Sequence, residues 1–469
     1  MRLEMEKKIP VYHSIEEVFA KLEPTYGHTF KEYDVNHRLD QPNNKGQLGH
    51  IVEEGILGYP INSDPEADLA EIGVEVKTTG VITTKKKKEV RAKERLTIDS
   101  LNYTAIVDYD FEESPMWQKA DDMLFVFYQY IKGVPYGDMP IIKAAINTFD
   151  EADVQIIKQD FDYILSMIND GRAEEISEGD TMYLGACTAG HGEMVEQPFS
   201  SVKAKKRKFC LKQSYFTQLV RKYISDSEME HVISIDEIKE ATFEMAMQAN
   251  LSRYYGMSET EIREKFGFKD NPDAKNRYER YLAAMLGIKG KVSKTDEFLK
   301  AGIEVKTIRL KAKGKIKENM SFPYFEFTEL VEQEWESSDL RDMFATMKYM
   351  FAIFQERDGE YYFDRIKFWH MTEQELDEWV KPVFEKTKKV LLSGKIVSRT
   401  YTNKAGKLIR LNYFPKKSQN PICHVRPHGD DAADTAKLPV PDKLTGLTDF
   451  TKQCFWLNND FVVKIITEK

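Results

Sequence analysis

A chain of 469 residues with 41% hydrophobic and 31% charged residues is typical of a globular protein and too long for one ordinary hydrophobic core. No apolar run approaches the roughly 18 residues that a membrane span requires, and the N-terminus lacks the apolar core of a signal peptide. We therefore expect a cytoplasmic protein without membrane contacts, and the net charge of −9 excludes nucleic-acid binding through bulk charge.

The predicted elements of the first half begin with a helix over 48–57 that ends at Gly58. A strand follows over 72–78, in which apolar and polar residues alternate. Further strands are predicted over 95–107 and 123–130, and the second of these is apolar enough to be buried on both faces. An amphipathic helix over 153–168 and an apolar, partly helical segment over 209–223 complete this half.

The second half repeats the first. The hexapeptide over 73–78 (GVEVKT) returns almost unchanged over 302–307 (GIEVKT), and helices over 280–286 and 373–392 precede glycines as their earlier counterparts do. An internal repeat of this length predicts two similar domains. We place them at 1–230 and 231–469, with the boundary in a polar stretch over 225–235.

The four cysteines are far apart and include no CxxC pair, which predicts reduced thiols rather than disulfides or a zinc ribbon. A histidine follows one cysteine in each half, at His191 and His428, but two ligands do not fill a tetrahedral zinc site. The cysteines are Cys187, Cys210, Cys423 and Cys454.

Basic residues are segregated in three blocks, and two of the blocks directly follow the repeated strand, where a phosphate backbone would lie. Any one block alone is more typical of a solvated face or a flexible loop. The blocks are Lys85–Lys88 with Arg91, Lys93 and Arg95; Lys203, Lys205, Lys206, Arg207 and Lys208; and Lys306, Arg309, Lys311, Lys313 and Lys315.

The first copy carries Asp68 seven residues before Glu75, and Lys77 lies on the same strand face as Glu75. Two carboxylates and the backbone carbonyl of Val76 would suffice to hold Mg²⁺, which prefers oxygen ligands and retains several waters. Lys77 could stabilise developing charge or orient the attacking water. The pattern therefore predicts a metal-dependent phosphodiesterase, although the same alternation occurs in solvated edge strands.

Five segments of the first copy occur in the same order and with similar gaps as in the MutH-like nucleases, and within that family this half resembles the type II restriction endonucleases that cut at GATC. The segments are 46–58 (GQLGHIVEEGILG), 68–80 (DLAEIGVEVKTTG), Lys119 before the strand at 123, 180–190 (DTMYLGACTAG) and 203–217 (KAKKRKFCLKQSYFT).

This resemblance implies a restriction-endonuclease (PD-(D/E)xK) fold, an α/β fold in which a central mixed β-sheet is flanked by helices, here present twice by internal duplication. It implies that Glu54, Asp68, Glu75 and Lys77 form the active site and that Lys119 is an accessory basic residue. Mg²⁺ is the implied cofactor and duplex DNA containing GATC the implied substrate.

DNA contacts are expected from the loop around 187–189, which looks like that of the GATC restriction enzymes, and from the loop at 426–428, which is closer to the Arg-Pro-Lys loop of the repair enzyme. Arg426 could read guanine, while His424 and His428 could contact phosphates or form a satisfied loop cluster. The expected DNA-binding residues are Thr188, His191, Lys203, Lys205, Lys206 and Lys212 in the first copy, and Arg426, His428 and Asn458 in the second. For Tyr215 and Phe216, core packing is the more natural role.

The second copy keeps Glu304 and Lys306, but Glu297 stands in place of Asp68 and Ala283 in place of Glu54. We predict that this copy is catalytically impaired. The resemblance implies that it acts as a second DNA site that promotes dimerisation and cleavage.

The sequence thus predicts a Mg²⁺-dependent endonuclease that cuts both strands at GATC, leaves 5′-phosphates, and acts as a homodimer on DNA. Its system partner would be a cognate DNA methyltransferase, with no direct contact implied. A strand-nicking repair enzyme is the alternative within the enzyme class, and a non-catalytic DNA-binding protein with two degenerate copies is the alternative outside it.

Overall fold

The computed structural model describes residues 9–41, 46–61, 67–84, 89–225, 229–269, 274–316, 320–404, 406 and 408–468; within these, the side chain of His191 is not described. In the first half, the strands are β1 (Glu75–Thr83), β2 (Val90–Ala92), β3 (Leu96–Leu101), β4 (Met123–Gln129), β5 (Ile141–Ile146), β6 (Leu184–Thr188), β7 (Met194–Gln197), β8 (Ser200–Lys205) and β9 (Arg207–Leu211).

The helices of the first half include the predicted pair, at 47–57 and 151–169. The α-helices are α1 (Ile15–Leu22), α2 (Gln47–His50), α3 (Tyr103–Ile106), α4 (Pro115–Asp121), α5 (Glu151–Asn169) and α6 (Gln213–Ser225), and α2 continues as a π-helix over Ile51–Leu57. The strand predicted over 95–107 is half as long as expected, because the Asn102 side chain accepts hydrogen bonds from the N–H groups of Thr104 and Ala105 and starts a helical turn there.

The central sheet of the first half has the order β2-β1-β4-β5, in which β1 runs parallel to β4 and the outer strands run antiparallel. Strand β4 is buried along six of its seven residues, as its apolar sequence predicts. A second sheet, with the order β3-β9-β6, and a hairpin of β7 and β8 stand beside it.

The second half contains strands β10 (Ile303–Leu310), β11 (Met320–Tyr324), β12 (Lys348–Arg357), β13 (Glu360–His370), β14 (Val397–Thr402), β15 (Leu408–Asn412), β16 (Cys423–Pro427), β17 (Thr435–Lys437), β18 (Asp449–Thr451) and β19 (Gln453–Leu457). Its helices are α7 (Ile235–Glu240), α8 (Phe243–Ser252), α9 (Glu259–Phe266), α10 (Arg277–Met285), α11 (Asp296–Ala301), α12 (Phe327–Leu330), α13 (Asp339–Thr346), α14 (Glu373–Glu375), α15 (Lys381–Ser393) and α16 (Asn459–Thr467), with a π-helix over Leu376–Val380 joining α14 to α15.

The two halves share one topology, which confirms the predicted duplication. Strand β10 runs parallel to β12 as β1 does to β4, and the sheet β11-β19-β16 repeats β3-β9-β6. Gly73 and Gly302 precede the repeated strands with φ of 68° and 67°, a conformation that favours glycine. The two domains are therefore two copies of one mixed α/β fold, and the exact boundary at 230/231 stays a prediction.

The domains pack closely against each other. One hydrophobic cluster extends from Phe125 and Phe216 of the first domain to Phe298 and Phe354 of the second. Beside it, the buried Lys300 ammonium binds both Asp153 carboxylate oxygens at 2.8 Å. This contact makes the two copies one packed body.

The described part of the chain contains no helix that is both long and apolar enough to cross a membrane. All four cysteines are buried free thiols, as predicted.

Candidate active site

Strand β1 places Glu75 and Lys77 side by side. The alternation of a strand directs both side chains to one face, and Lys77 Nζ lies 2.5 Å from Glu75 Oε1. The Lys77 side chain is 25% exposed and the Glu75 side chain 10%. The N–H of Glu75 donates to Asp122 O at 3.0 Å, which ties the start of the strand to the segment before β4.

Asp68 lies against the free edge of β1. The N–H of Val76 donates to Asp68 Oδ2 at 2.9 Å. Because the N–H and C=O of one strand residue point to the same side, the carbonyl of Val76 also faces this edge, while Glu75 is hydrogen-bonded toward β4. Burial, reinforced by the neighbouring Glu75, raises the pKa of Asp68. Asp68, Glu75 and Val76 thus meet at one edge, as the spacing predicts.

The helical carboxylate of this site is Glu53, one residue before the predicted Glu54. Burial raises the pKa of Glu53 to about 7, and Asp68 and Glu75 add to the rise while Lys77 opposes it. Glu54 instead receives two hydrogen bonds from Arg38, at 2.8 and 2.7 Å, which lower its pKa. We therefore replace Glu54 by Glu53 in the candidate site.

The π-helical turn explains why the sequence did not distinguish these two glutamates. Residues 51–57 are wound more widely than an α-helix, so their side chains do not follow the 3.6-residue periodicity. Turns of this kind are frequent at functional sites. The helix is fixed in place by Gly55, where a Cβ atom would lie 1.9 Å from the carbonyl oxygen of Tyr33. Any larger residue at position 55 would therefore force the helix or the backbone of Tyr33 to shift.

Two lysines flank the carboxylates. Lys119, at the end of α4, lies 3.1 Å from Asp99 Oδ1 and close enough to Asp68 to offset part of the rise in the pKa of that carboxyl. Lys93 lines a cleft of about 550 Å³ together with Glu53 and Lys77. Its ammonium lies 3.2 Å from Tyr136 Oη and 4.9 Å from the ring centroid of Tyr130. The sequence pattern predicts only that Lys93 belongs to a basic block, because its place beside Glu53 and Lys77 depends on the fold.

The oxygen donors of the site have the chemistry that binds a divalent cation. Glu53, Asp68 and Glu75 raise one another's electrostatic energy, and a bound cation would relieve this repulsion. Their oxygen atoms and the carbonyl of Val76 are the ligand type that Mg²⁺ prefers. Among the described residues, no three His, Cys, Asp or Glu side chains converge on one ion-sized position, and the Lys77 ammonium instead neutralises Glu75.

The second domain lacks this arrangement. Glu304 and Lys306 are 53% and 42% exposed and lie 3.4 Å apart, so their ion pair is looser than that of Glu75 and Lys77. Glu297 lies on helix α11 and accepts hydrogen bonds from His231 and from the N–H of Val232, away from Glu304. The short helix in place of the Asp68 turn explains why Glu297 cannot take over that role.

Apolar residues occupy the remaining catalytic positions of the second domain. Matching Gly58 to Gly287 aligns Glu53 with the buried Leu282, and Ala283, opposite Glu54, is buried as well. Matching β4 to β12 aligns Lys119 with the buried Ala345. These substitutions support the prediction that this copy is impaired.

Several predicted DNA-binding residues of the first domain are engaged by the second domain. Thr188 Oγ1 lies 3.4 Å from an Arg341 nitrogen, and Lys205 forms ion pairs with Glu373 and Asp377 at 2.9 and 2.7 Å. DNA can reach Thr188 and Lys205 only if these contacts open.

The other predicted DNA-binding residues of the first domain have different surroundings. Lys203 and Lys206 are exposed and pair with Glu196 and Glu193, so they remain available to phosphates. Lys212 is fully buried, donates to the carbonyl of Thr181 and has a pKa lowered by burial to about 8. Because the Lys212 ammonium is buried, the predicted DNA contact of this residue is wrong. The side chain of His191 and the run Lys85–Lys88 lie outside the described residues.

In the second domain, Arg426 and His428 are exposed at the end of β16. The Arg426 guanidinium lies 5.0 Å from the ring centroid of Trp456, and His428 packs edge-on against the same ring. Asn458 is buried instead, donates to the carbonyl of Asn420 at 2.7 Å and contacts His424 at 2.6 Å. Asn458 and His424 thus form a hydrogen-bonded structural cluster, so the predicted DNA contact of Asn458 is wrong. Arg426 and His428 can still reach a ligand.

Comparison with known proteins agrees with the duplicated architecture. The family model described as "DNA mismatch repair enzyme MutH" matches twice, over residues 57–160 and 286–381. The type II restriction enzyme Sau3AI of Staphylococcus aureus is 34% identical over 90% of this chain and 93% of its own length. The DNA mismatch repair protein MutH of Vibrio campbellii is 23% identical over 47% of this chain and 99% of its own length.

Proposed function

Because this chain belongs to the type II restriction endonucleases of the MutH-like family, we propose that its first domain cuts both strands of duplex DNA at GATC in a Mg²⁺-dependent reaction that leaves 5′-phosphates. The observation that carries the proposal is the grouping of Glu53, Asp68, Glu75 and Lys77 in the first domain. The second domain retains only Glu304 and Lys306 of this set.

Asp68, Glu75 and the carbonyl of Val76 would hold the metal ion, and Glu53 would complete the negative charge around it. Bound Mg²⁺ supplies Lewis-acid stabilisation of the phosphate oxygens and a lowered pKa for a coordinated water. Lys77 directs its ammonium to the same face, where it can orient the attacking water and stabilise charge that develops on the phosphate. Glu53 faces the same pocket, where its carboxylate can accept a proton from the attacking water.

Lys93 and Lys119 would position the DNA strand on either side of the carboxylates. Lys93 lies in the cleft that Glu53 and Lys77 line, and an ammonium there is placed to bind a phosphate next to the scissile one. Lys119 is close enough to Asp68 to offset part of the rise in the pKa of that carboxyl. Contacts with phosphates would fix the position of the DNA backbone but would not distinguish one base sequence from another.

GATC as the target is supported by the resemblance of the first copy to nucleases that cut at this sequence. The second domain would bind a second DNA site, and the exposed Arg426 and His428 support this role. One complete site per chain cuts one strand at a time, so cleavage of both strands requires a two-fold dimer or two successive nicks. Host DNA would be protected by a cognate methyltransferase that need not contact this chain.

The test is the conversion of supercoiled plasmid to linear DNA with and without Mg²⁺. The unmodified chain should linearise the plasmid only when Mg²⁺ is present. Asp68→Ala should abolish cleavage while the affinity for a GATC duplex, measured in Ca²⁺ or EDTA, remains. Lys158→Ala, on an exposed face of α5, serves as the control and should cleave normally. Cleavage by Asp68→Ala would contradict the assigned site.

A further inference from the structure

The segment 386–429 of the second domain carries a concentrated positive charge. It contains eleven Lys or Arg residues and no Asp or Glu, although the whole chain has 77 acidic residues and a net charge of −9. A segment of one sign in an acidic protein is an electrostatic feature that the overall composition hides.

The middle of this segment is an addition that the first domain lacks. In the first domain, residues 170–183 connect α5 to β6, whereas residues 394–422 connect the equivalent α15 to β16. Most of the additional length forms the antiparallel hairpin of β14 and β15. The shared nuclease fold does not require this hairpin.

The hairpin projects from the domain with cations on both faces. Strands β14 and β15 form a sheet of their own, and after Val397 nearly all of their residues are exposed or half-exposed. Arg399 pairs with Leu411 and the adjacent Thr400 with Arg410, so the two arginines point to opposite faces. Within the described part of the chain, no carboxylate forms an ion pair with Lys395, Arg399, Lys404 or Arg410.

The base of the hairpin is fixed beside the residues expected to contact DNA. The N–H groups of Ile396 and Val397 both donate to the buried Asp442 carboxylate at 2.9 Å. After the second hairpin strand, the carbonyl of Pro415 accepts a hydrogen bond from the N–H of Val425 at 2.9 Å. Val425 directly precedes Arg426, so the chain that leaves the hairpin is hydrogen-bonded to the strand that carries Arg426.

We propose that the hairpin over 397–412 is a DNA-binding arm that enters the major groove of the duplex held by the second domain. This inference rests on the proposed role of that domain as a second DNA site. The major groove admits a two-stranded β-ribbon, and the phosphates of the two DNA strands flank the edges of such a ribbon. The long side chains of Arg399 and Arg410, on opposite faces of the hairpin, can each reach toward a flanking phosphate. A two-stranded hairpin without further strands is marginally stable alone, and the duplex supplies the missing contacts.

The experiment measures binding of short GATC duplexes to the full chain in the cleavage-inactive Asp68→Ala background. Calorimetric titration gives the number of duplexes per chain, and fluorescence anisotropy at several salt concentrations gives the salt dependence. The test variant is Arg399→Gln with Arg410→Gln. The control is Arg253→Gln with Arg357→Gln, which removes the same charge from exposed arginines on other elements of the same domain.

The background chain and the control should bind two duplexes, and the hairpin variant should bind the second at least about 10-fold more weakly. The slope of log K against log salt for that site should decrease by about 1.8, since each lost phosphate contact removes about 0.9. An unchanged affinity and an unchanged slope for the second duplex would overturn the arm. So would a change in the oligomeric state of the DNA-free variant in sedimentation, because the hairpin would then be a contact between protein chains. If the background chain itself bound only one duplex, the second DNA site of the proposed function would fail, and the arm with it.

Discussion

The guanidinium of Arg38 holds the carboxylate of Glu54 through two hydrogen bonds, at 2.8 and 2.7 Å, and thereby separates it from the neighbouring Glu53. Arg38 neutralises Glu54 and lowers its pKa, while Glu53 faces Asp68 and Glu75 with a raised pKa. Two adjacent glutamates on one helix thus have different roles, and substitution separates them.

Glu53→Gln should lower kcat/KM for plasmid cleavage by at least about 100-fold, because it removes one charge from the metal site and the group that can accept a proton. Glu54→Gln should retain cleavage within about threefold and lose about 1 kcal/mol of stability from the weakened pair with Arg38. Steady-state cleavage and thermal unfolding measure both effects. An inactive Glu54→Gln with an active Glu53→Gln would restore the original prediction from the sequence.

Glu53 should also make stability depend on pH. Its pKa is about 7 in the folded state and ordinary in the unfolded state, so the protonated form is favoured by folding. The stabilisation is complete below pH 4.5 and is lost as pH rises through 7. In the absence of metal, the Tm of Glu53→Gln should therefore be higher than that of the parent at pH 8. Near pH 4.5 the two proteins should have the same Tm. A constant Tm difference across this range would show that Glu53 does not titrate as described.

The second copy should not contribute to chemistry. Glu304 is half-exposed, and the positions equivalent to Glu53 and Lys119 are Leu282 and Ala345. Glu304→Ala should therefore leave the single-turnover rate at saturating enzyme within about threefold, whereas Glu75→Ala should abolish cleavage. Equal loss in the two variants would assign a catalytic role to the second domain.

Glu373 should be the most acid-sensitive contact between the domains. It is buried, receives hydrogen bonds from Arg341 and Lys205, and lies 3.3 Å from Arg207. Although burial opposes ionisation, these cations hold the pKa of Glu373 at about 2. The contribution to stability is present above pH 4.5 and is lost as pH falls toward 2.

Glu373→Gln should destabilise the protein by about 3 kcal/mol at pH 7, because the buried guanidinium groups of Arg207 and Arg341 lose the carboxylate that they share. The parent and the variant should converge as pH falls toward 2. Chemical denaturation at pH 7 and pH 3 measures both quantities, and Glu385→Gln, at an exposed position of α15, is the control. A variant as stable as the parent at pH 7 would mean that the cations find other partners.

Much of the fold could be predicted because the patterns that specify its main strands and helices occur in both halves of the sequence. The alternation over Glu75 to Lys77, the apolar run of β4 and the glycine-terminated helices each occur twice, and all appear in the structure. The short helix at Tyr103 was missed because the Asn102 cap is a local hydrogen bond that strand periodicity does not reveal.

The site residues depended more on tertiary contacts. Asp68, Glu75 and Lys77 lie on or beside one strand, so their spacing was sufficient to predict that they lie together, while their catalytic role stays a prediction. The choice between Glu53 and Glu54 depended on a π-helical turn and on Arg38, neither of which spacing encodes. Lys212 was predicted as a DNA contact because it lies in a basic block, but the fold buries it.

Digestion of unmethylated plasmid with Mg²⁺, followed by sequencing of every fragment end, decides whether this chain cuts both strands of DNA at GATC. All ends should fall at GATC on both strands and carry 5′-phosphates, and Asp68→Ala should produce none. Nicks in one strand only, or ends at other sequences, would contradict double-strand cleavage at GATC.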